Sequence, residues 1–236
     1  MGETDARIRE GLIANDPPIR DAATVIVLRD AMSEPRVLMG QRGATAAFMP
    51  NKFVFPGGAV DPQDAEVPLA CALQPACEAR LKAEADPDLA RALVAAGIRE
   101  LWEETGLILG RKGDWAGPAP RGWRGFAASG HLPSPEGFHF VFRAITPPGR
   151  PRRFDARFFL VEAQAVANDP DDFSGAEAEL SHLQWIPLAE VRRFNLPFIT
   201  EVVLGEVAGL LEAGLPPASV PFFDNRSARS EFRRLR

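Results

Sequence analysis

The stretch Asp86–Leu107, DPDLARALVAAGIRELWEETGL, decides how this chain is read. Asp86 can cap the first free backbone N–H groups, and Pro87 fits the first helical position, where its missing donor costs nothing. Asp88 adds negative charge near the positive end of the helix dipole. Ala, Leu, Arg and Glu fill the interior, and Gly106 is placed to end the segment in a left-handed conformation. These signals predict a helix over 86–107. Residues three and four apart share a helix face, so Glu100, Glu103 and Glu104 project together with Arg99 beside them. Three carboxylates on one face repel each other. A solvated acidic helix end gains little from that, whereas a hard divalent cation such as Mg²⁺ takes oxygen ligands and keeps waters. Arg99 could orient one carboxylate by a bidentate pair.

The string Arg99-Glu100-Leu101-Trp102-Glu103-Glu104-Thr105-Gly106-Leu107 matches R-E-(apolar)-x-E-E-x-G-(apolar). It resembles the second half of the Nudix box. The upstream run Phe55-Pro56-Gly57-Gly58-Ala59-Val60-Asp61 resembles the F-P-G-G that precedes this box. Two departures stand out. Six positions after Gly58 is Asp64, where the motif has Glu, and the halves are separated by an insertion of about 27 residues. A split box is similar to a branch that includes peroxisomal coenzyme A diphosphatases. Phe48-Met49-Pro50-Asn51 with Phe53–Gly58, and Pro151-Arg152-Arg153-Phe154-Asp155-Ala156-Arg157-Phe158-Phe159, resemble that branch too. The resemblance covers roughly residues 22 to 205.

Outward from the box, Ala22–Leu28 is an apolar, β-branched run that predicts a buried strand, and Val37–Gln41 predicts the returning one. Arg42 could reach a substrate phosphate or form a surface salt bridge. Residues 65–96 are rich in Ala, Leu and charge, broken by Pro68, Pro75 and Pro87, and predict two short helices before the long one. That insertion, about 62–88 in all, reads as a cap over the pocket, an oligomer contact or a surface excursion. Residues 110–125 predict a Gly- and Pro-rich loop, whose Trp115 and Trp123 could stack on a base or simply pack. In Gly137–Ile145, Phe138, Phe140 and Phe142 alternate, predicting a strand with all three on one face. Phe154–Glu162 is the next strand. Arg150, Arg152, Arg153 and Arg157 crowd the turn before it, as an anion site or a solvated basic turn. The guanidinium fork suits phosphate. The acidic stretch 167–183 reads as a solvated loop, although the resemblance allows Glu177 or Glu179 to serve as a base or ligand. Leu183–Ile186 predicts the last core strand, Pro187–Val191 the start of a helix and Ile199–Ala213 an amphipathic helix. Residues 1–20 read as a loose lead-in and 225–236 as a frayed basic tail.

At 236 residues, 46% hydrophobic and 25% charged, the composition is that of a soluble globular protein. A net charge of −5 gives no general reason to expect nucleic-acid binding. No signal peptide or membrane span is legible, so the expected compartment is cytoplasmic and no membrane partner is expected. Cys71 and Cys77 read as reduced, and His131, His139 and His182 form no metal set.

The resemblance implies one Nudix domain over 1–236, an α/β/α sandwich around a mixed sheet with a helical insertion inside the box. It implies hydrolysis of the diphosphate linkage in a nucleotide bound to another moiety, with Mg²⁺ or Mn²⁺. Glu100, Glu103 and Glu104 would be catalytic metal ligands assisted by a carbonyl of Gly57 or Gly58, with Arg99 as their orienter. Arg42, Arg152, Arg153 and Arg157 would bind substrate. The branch implies coenzyme A or an acyl-CoA. The alternatives are ADP-ribose, NADH or a sugar nucleotide, or a non-catalytic nucleotide sensor. A homodimer is compatible with this reading.

Overall fold

Strand β1 (Ile19–Arg29) is the axis of the structure, a computed structural model that describes residues 16–83, 85, 86, 88–227 and 229–236. Its β-branched run suits a sheet buried on both faces. Ala23, Val25 and Val27 face one hydrophobic cluster, while Ile26 and Leu28 face the other. The remaining strands in chain order are β2 (Arg36–Arg42), β3 (Phe53–Val54), β4 (Gly57–Ala59), β5 (Gly110–Lys112) and β6 (His131–Pro133). Then come β7 (His139–Ile145), β8 (Arg153–Glu162), β9 (Leu180–Pro187), β10 (Val220–Asp224) and β11 (Glu231–Leu235). The helices are α1 (Pro75–Lys82), α2 (Leu89–Thr105), α3 (Arg124–Ala128) and α4 (Phe198–Ala213).

Among the described residues nine strands form one sheet in the order β11-β10-β7-β8-β1-β2-β3, with β4 on β1 and β9 on β2. The β1–β8 and β7–β10 pairs are parallel and the others antiparallel, so the sheet is mixed. Helix α2 covers one face through Leu93, Val94, Ile98 and Leu101, and α4 covers the other through Val203, Leu204, Val207 and Leu210. The result is the expected α/β/α layering. Each of these buried aliphatics contributes roughly 1.5–3 kcal/mol. Leu101→Ala, on the helix that carries the glutamates, would cost about 2–5 kcal/mol.

Helix α2 begins at Leu89, later than the composition suggests. The Asp86 carboxylate accepts from the Asp88 amide at 3.0 Å, and Pro87 lies outside the described residues. Gly106 ends the helix at φ 76° with its N–H on the Trp102 carbonyl. The insertion folds as a 3₁₀ turn (Pro62–Glu66) and α1, whose Cys77 and Leu81 enter the α2-side core.

Several expectations fail. Phe142 does not share a face with Phe138 and Phe140: a register shift in the β7–β8 ladder between Phe140 and Phe142 turns it into the α4-side cluster. No helix starts at Pro187, because β9 runs through that residue and only a 3₁₀ turn (Val191–Arg193) follows. The 110–125 loop holds β5, the 3₁₀ turn Arg121–Trp123 and the beginning of α3. The basic tail is not frayed, since β11 pairs antiparallel with β10 from Val220↔Leu235 to Asp224↔Glu231. The lead-in is coil only at 16–18, and residues 1–15 lie outside those described. Both cysteines are unbridged. Among the described residues no helix is long and apolar enough to cross a membrane.

Candidate active site

The last two turns of α2 meet the β4 end of the sheet, because Ala23 pairs with Gly58 and Thr24 with Gly57. A side chain on Gly58 would collide with the Glu100 carboxylate, so the glycine supplies the room that this group occupies. The Gly57 amide donates to Glu104 Oε2 at 2.8 Å. Both halves of the split motif therefore converge here.

Arg99 is the hub. Its Nη1 donates to Glu100 Oε1 at 2.8 Å and to Glu103 Oε2 at 3.0 Å. Its other nitrogens donate to both oxygens of Asp64 at 3.0 and 3.1 Å and to the Ala59 carbonyl at 3.0 Å. Asp64 is wholly buried and also accepts from Trp123 Nε1 at 3.0 Å and from the Asp61 amide at 2.9 Å. Aspartate at the motif's glutamate position thus still reaches the arginine, and Trp123 and the Asp61 amide occupy its remaining acceptor capacity. Asp64 was reached by counting along the motif. Trp123 carried no signal beyond its aromatic character. It and Trp115 pack into the core rather than offering a stacking face, with Trp115 Nε1 donating to the His131 carbonyl.

The acidic stretch also comes to this end of α2. The Glu177 amide donates to the Glu103 carbonyl at 2.7 Å, and Asn168 bridges the Ile108 amide and the Gly106 carbonyl. Glu179, on the same stretch, pairs with Arg42 at 2.8 Å. Its charge reaches both Glu100 and Glu104. Helix spacing could not place it, because the link is a loop docked by backbone bonds.

Negative charge exceeds its compensation at this site. Burial, opposed by Arg99 and reinforced by Glu103 and Glu179, pushes Glu100 up to about 7. Burial also holds Glu104 well above the usual carboxylate range against the Gly57 hydrogen bond, with Glu100 and Glu179 adding to the rise. Glu103 is raised by burial, with Arg99 opposing and Glu177 and Asp64 adding to it. Burial works against the Arg99 charge, but the Asp64 hydrogen bonds and the surrounding carboxylates outweigh it and hold the group firmly protonated.

Among the described residues no three His, Cys, Asp or Glu side chains stand together in an arrangement that could hold a metal ion as they are. The donor set nevertheless fits a hard cation that keeps part of its water shell. Glu100 Oε2, Glu103 Oε1 and Glu104 Oε1 make no hydrogen bond among the described residues, while their partner oxygens are held by Arg99 and Gly57. The three carboxylates are thus each anchored through one oxygen only.

The arginine turn is elsewhere engaged. Arg153 is buried and donates to the carbonyls of Thr146 and Asn225 and pairs with Asp16 at 2.9 Å. Arg157 is buried against Asp21 and Asp155. Both of these expected substrate-binding guanidinium groups are engaged in ion pairs inside the sheet. Arg150 and Arg152 are exposed. Arg42 stays at the site through Glu179, with its Nε buried and lacking a hydrogen-bond partner.

No family model matches the chain. Over 179 residues, 71% of this chain, it is 30% identical to a Caenorhabditis elegans protein provisionally named nudix hydrolase 7. The match spans 51% of that protein, so the chain covers about half the length of this relative. The crystal structure of a NUDIX hydrolase from Alicyclobacillus acidocaldarius superposes with a TM-score of 0.59 at 29% identity, covering 85% of this chain and 99% of that one.

Proposed function

We propose that this chain, which has the Nudix fold, is a Nudix hydrolase and cleaves the diphosphate linkage of a nucleotide joined to another moiety. The observation that carries the reading is the under-compensated carboxylate set on α2, with three oxygens that accept no hydrogen bond among the described residues, beside the Gly57–Gly58 turn. Glu100, Glu103 and Glu104 would hold Mg²⁺ or Mn²⁺, a carbonyl of Gly57 or Gly58 assisting. Such an ion neutralises the anionic diphosphate and lowers the pKa of a bound water. Arg99 acts as the orienter of Glu100 and Glu103, and Asp64 fixes Arg99. Arg42, tethered through Glu179 and with an unused buried N–H, is placed to take a substrate phosphate when that pair opens. Glu177 or Glu179, on the acidic loop docked against this end of α2, would supply a further base or ligand.

For the substrate, the split box and the Phe48–Gly58 string favour coenzyme A or an acyl-CoA. The arginine turn no longer supports that choice. A sensor role would be expected to accompany loss of the carboxylates, and all three are present.

The test is product analysis with Mg²⁺ on coenzyme A, an acyl-CoA, ADP-ribose, NADH and a sugar nucleotide. Preference for the CoA compounds supports the full reading. Preference for another member keeps the chemistry and discards the substrate. Tight nucleotide binding without turnover in Mg²⁺ or Mn²⁺ would replace the hydrolase with a sensor.

A further inference from the structure

A cavity of about 430 Å³ lies beside the acidic cluster, lined by Asp61, Pro62, Gln63, Arg121 and Gly122. A Cβ on Gly122 would stand 3.4 Å from Arg99 Cδ and 3.8 Å from Glu103 Oε1, so the cavity borders the carboxylates themselves. Both of its walls hang on Asp64. The Asp61 amide donates to one oxygen of that buried carboxylate and Trp123 Nε1 to the other. Trp123 is further fixed against Phe126 and Trp115, with ring centroids 5.4 and 6.0 Å apart, and Trp102 packs on Phe126 from α2. The backbone carrying Arg121 is therefore held by core packing.

Arg121 differs from the arginines of β7 and β8. Arg143, Arg153 and Arg157 are buried in ion pairs, whereas Arg121 is exposed and makes no hydrogen bond or ion pair among the described residues. An unmatched guanidinium on a fixed wall next to a carboxylate cluster repels cations and offers a fork to an oxyanion. The opposite wall adds the exposed Asp61 carboxylate and the Gln63 amide, which suit the hydroxyl groups of a sugar.

We propose that this cavity takes the sugar of the substrate nucleotide and that Arg121 pairs with a phosphoryl group carried on that sugar, outside the cleaved linkage. This rests on the hydrolase reading above and moves the additional phosphate site from the arginine turn to the loop that ends in Trp123. Arg121 is a specificity residue, acting on binding and leaving the bond-breaking groups untouched.

The experiment is calorimetric titration of the full chain, with Mg²⁺ present, by adenosine 3′,5′-bisphosphate and by adenosine 5′-monophosphate. The wild type is expected to bind the bisphosphate on the order of tenfold tighter, the discrimination typical of one charge-assisted hydrogen-bonded pair. Arg121→Ala should abolish the difference with an unchanged melting temperature, and Arg192→Ala, at an exposed arginine outside the site, should retain it. Equal binding of the two nucleotides by the wild type, a preference that survives Arg121→Ala, or no binding of either would overturn the proposal. The hydrolysis panel reads out the other claim separately. Turnover without the preference overturns only this site, and the preference without turnover overturns only the hydrolase.

Discussion

Two charge clusters, one on α2 and one on the sheet, solve the same problem in opposite ways. At the end of α2, Glu100, Glu103 and Glu104 share Arg99, which is also committed to Asp64 and the Ala59 carbonyl. Around β7, β8 and β10, carboxylates are outnumbered. Asp155 accepts two bonds from Arg143 at 2.9 and 2.6 Å and lies 3.3 Å from Arg157. Asp224 holds both Arg226 and Arg233. Phe222 lies under Arg143 at 4.2 Å and Arg233 at 4.6 Å, which adds cation–π attraction. The proton affinities follow. Burial raises Glu100 to about 7, whereas at Asp224 the arginine hydrogen bonds overcome burial and lower the group to about 2. A matched cluster holds the fold together. An unmatched one is kept at a cost in stability, and it is the cluster on which the proposed function rests.

The largest effect expected from breaking this contrast is on rate. Glu103→Gln should lower turnover by on the order of a thousandfold, since it removes charge stabilisation at the reacting centre. The melting temperature of the metal-free variant should hold or rise. A variant with near-normal turnover would remove Glu103 from the site. Next comes the matched cluster. Asp155→Ala strips two buried arginines of their shared partner and should cost about 3–5 kcal/mol, or roughly 10 °C in melting temperature. Chemical denaturation should show the loss, and the fraction still folded should turn over normally. A melting point within a degree or two of wild type would end the structural assignment.

The third effect is a pH dependence. Glu100 binds its proton more tightly in the folded chain than in the unfolded one, about 7 against 4.5. Its contribution is therefore fully present below pH 4.5 and is lost as pH rises through 7, amounting to about 3 kcal/mol. Metal-free protein should unfold more readily at pH 8 than at pH 5.5, and Mg²⁺ should restore more at the higher pH. A metal-free stability that rises over that window would contradict the unmatched charge. The smallest effect is expected at Arg152, which is exposed. Arg152→Ala should stay within about 0.5 kcal/mol in stability and twofold in turnover.

This contrast also explains what could be read in advance. The glutamate face, the Gly106 stop and the β1 run are local patterns set by helix and strand spacing, and they survive in the structure. The arginine turn was ambiguous because Arg153 and Arg157 look alike whether they face solvent or an aspartate brought by a neighbouring strand. Asp16 and Asp21 lie before and on β1, far away in sequence, and only the parallel β1–β8 pairing supplies them. Phe142 left its expected face because of one register shift, which no alternation pattern encodes. The polar segment that becomes β11 lacks a strand's apolar pattern and owes its form to β10. Glu179, named only through the resemblance, and Trp123, whose link to Asp64 no local pattern encodes, reach the site through docked loops.

The most direct test of the central claim is manganese titration by calorimetry at pH 8, comparing wild type with Glu104→Gln. The account predicts a wild-type site whose affinity rises with pH as protons are released, weakened at least tenfold by the substitution. Equal binding by the two proteins, or none by the wild type, would show that the unmatched carboxylates on α2 are not a metal site.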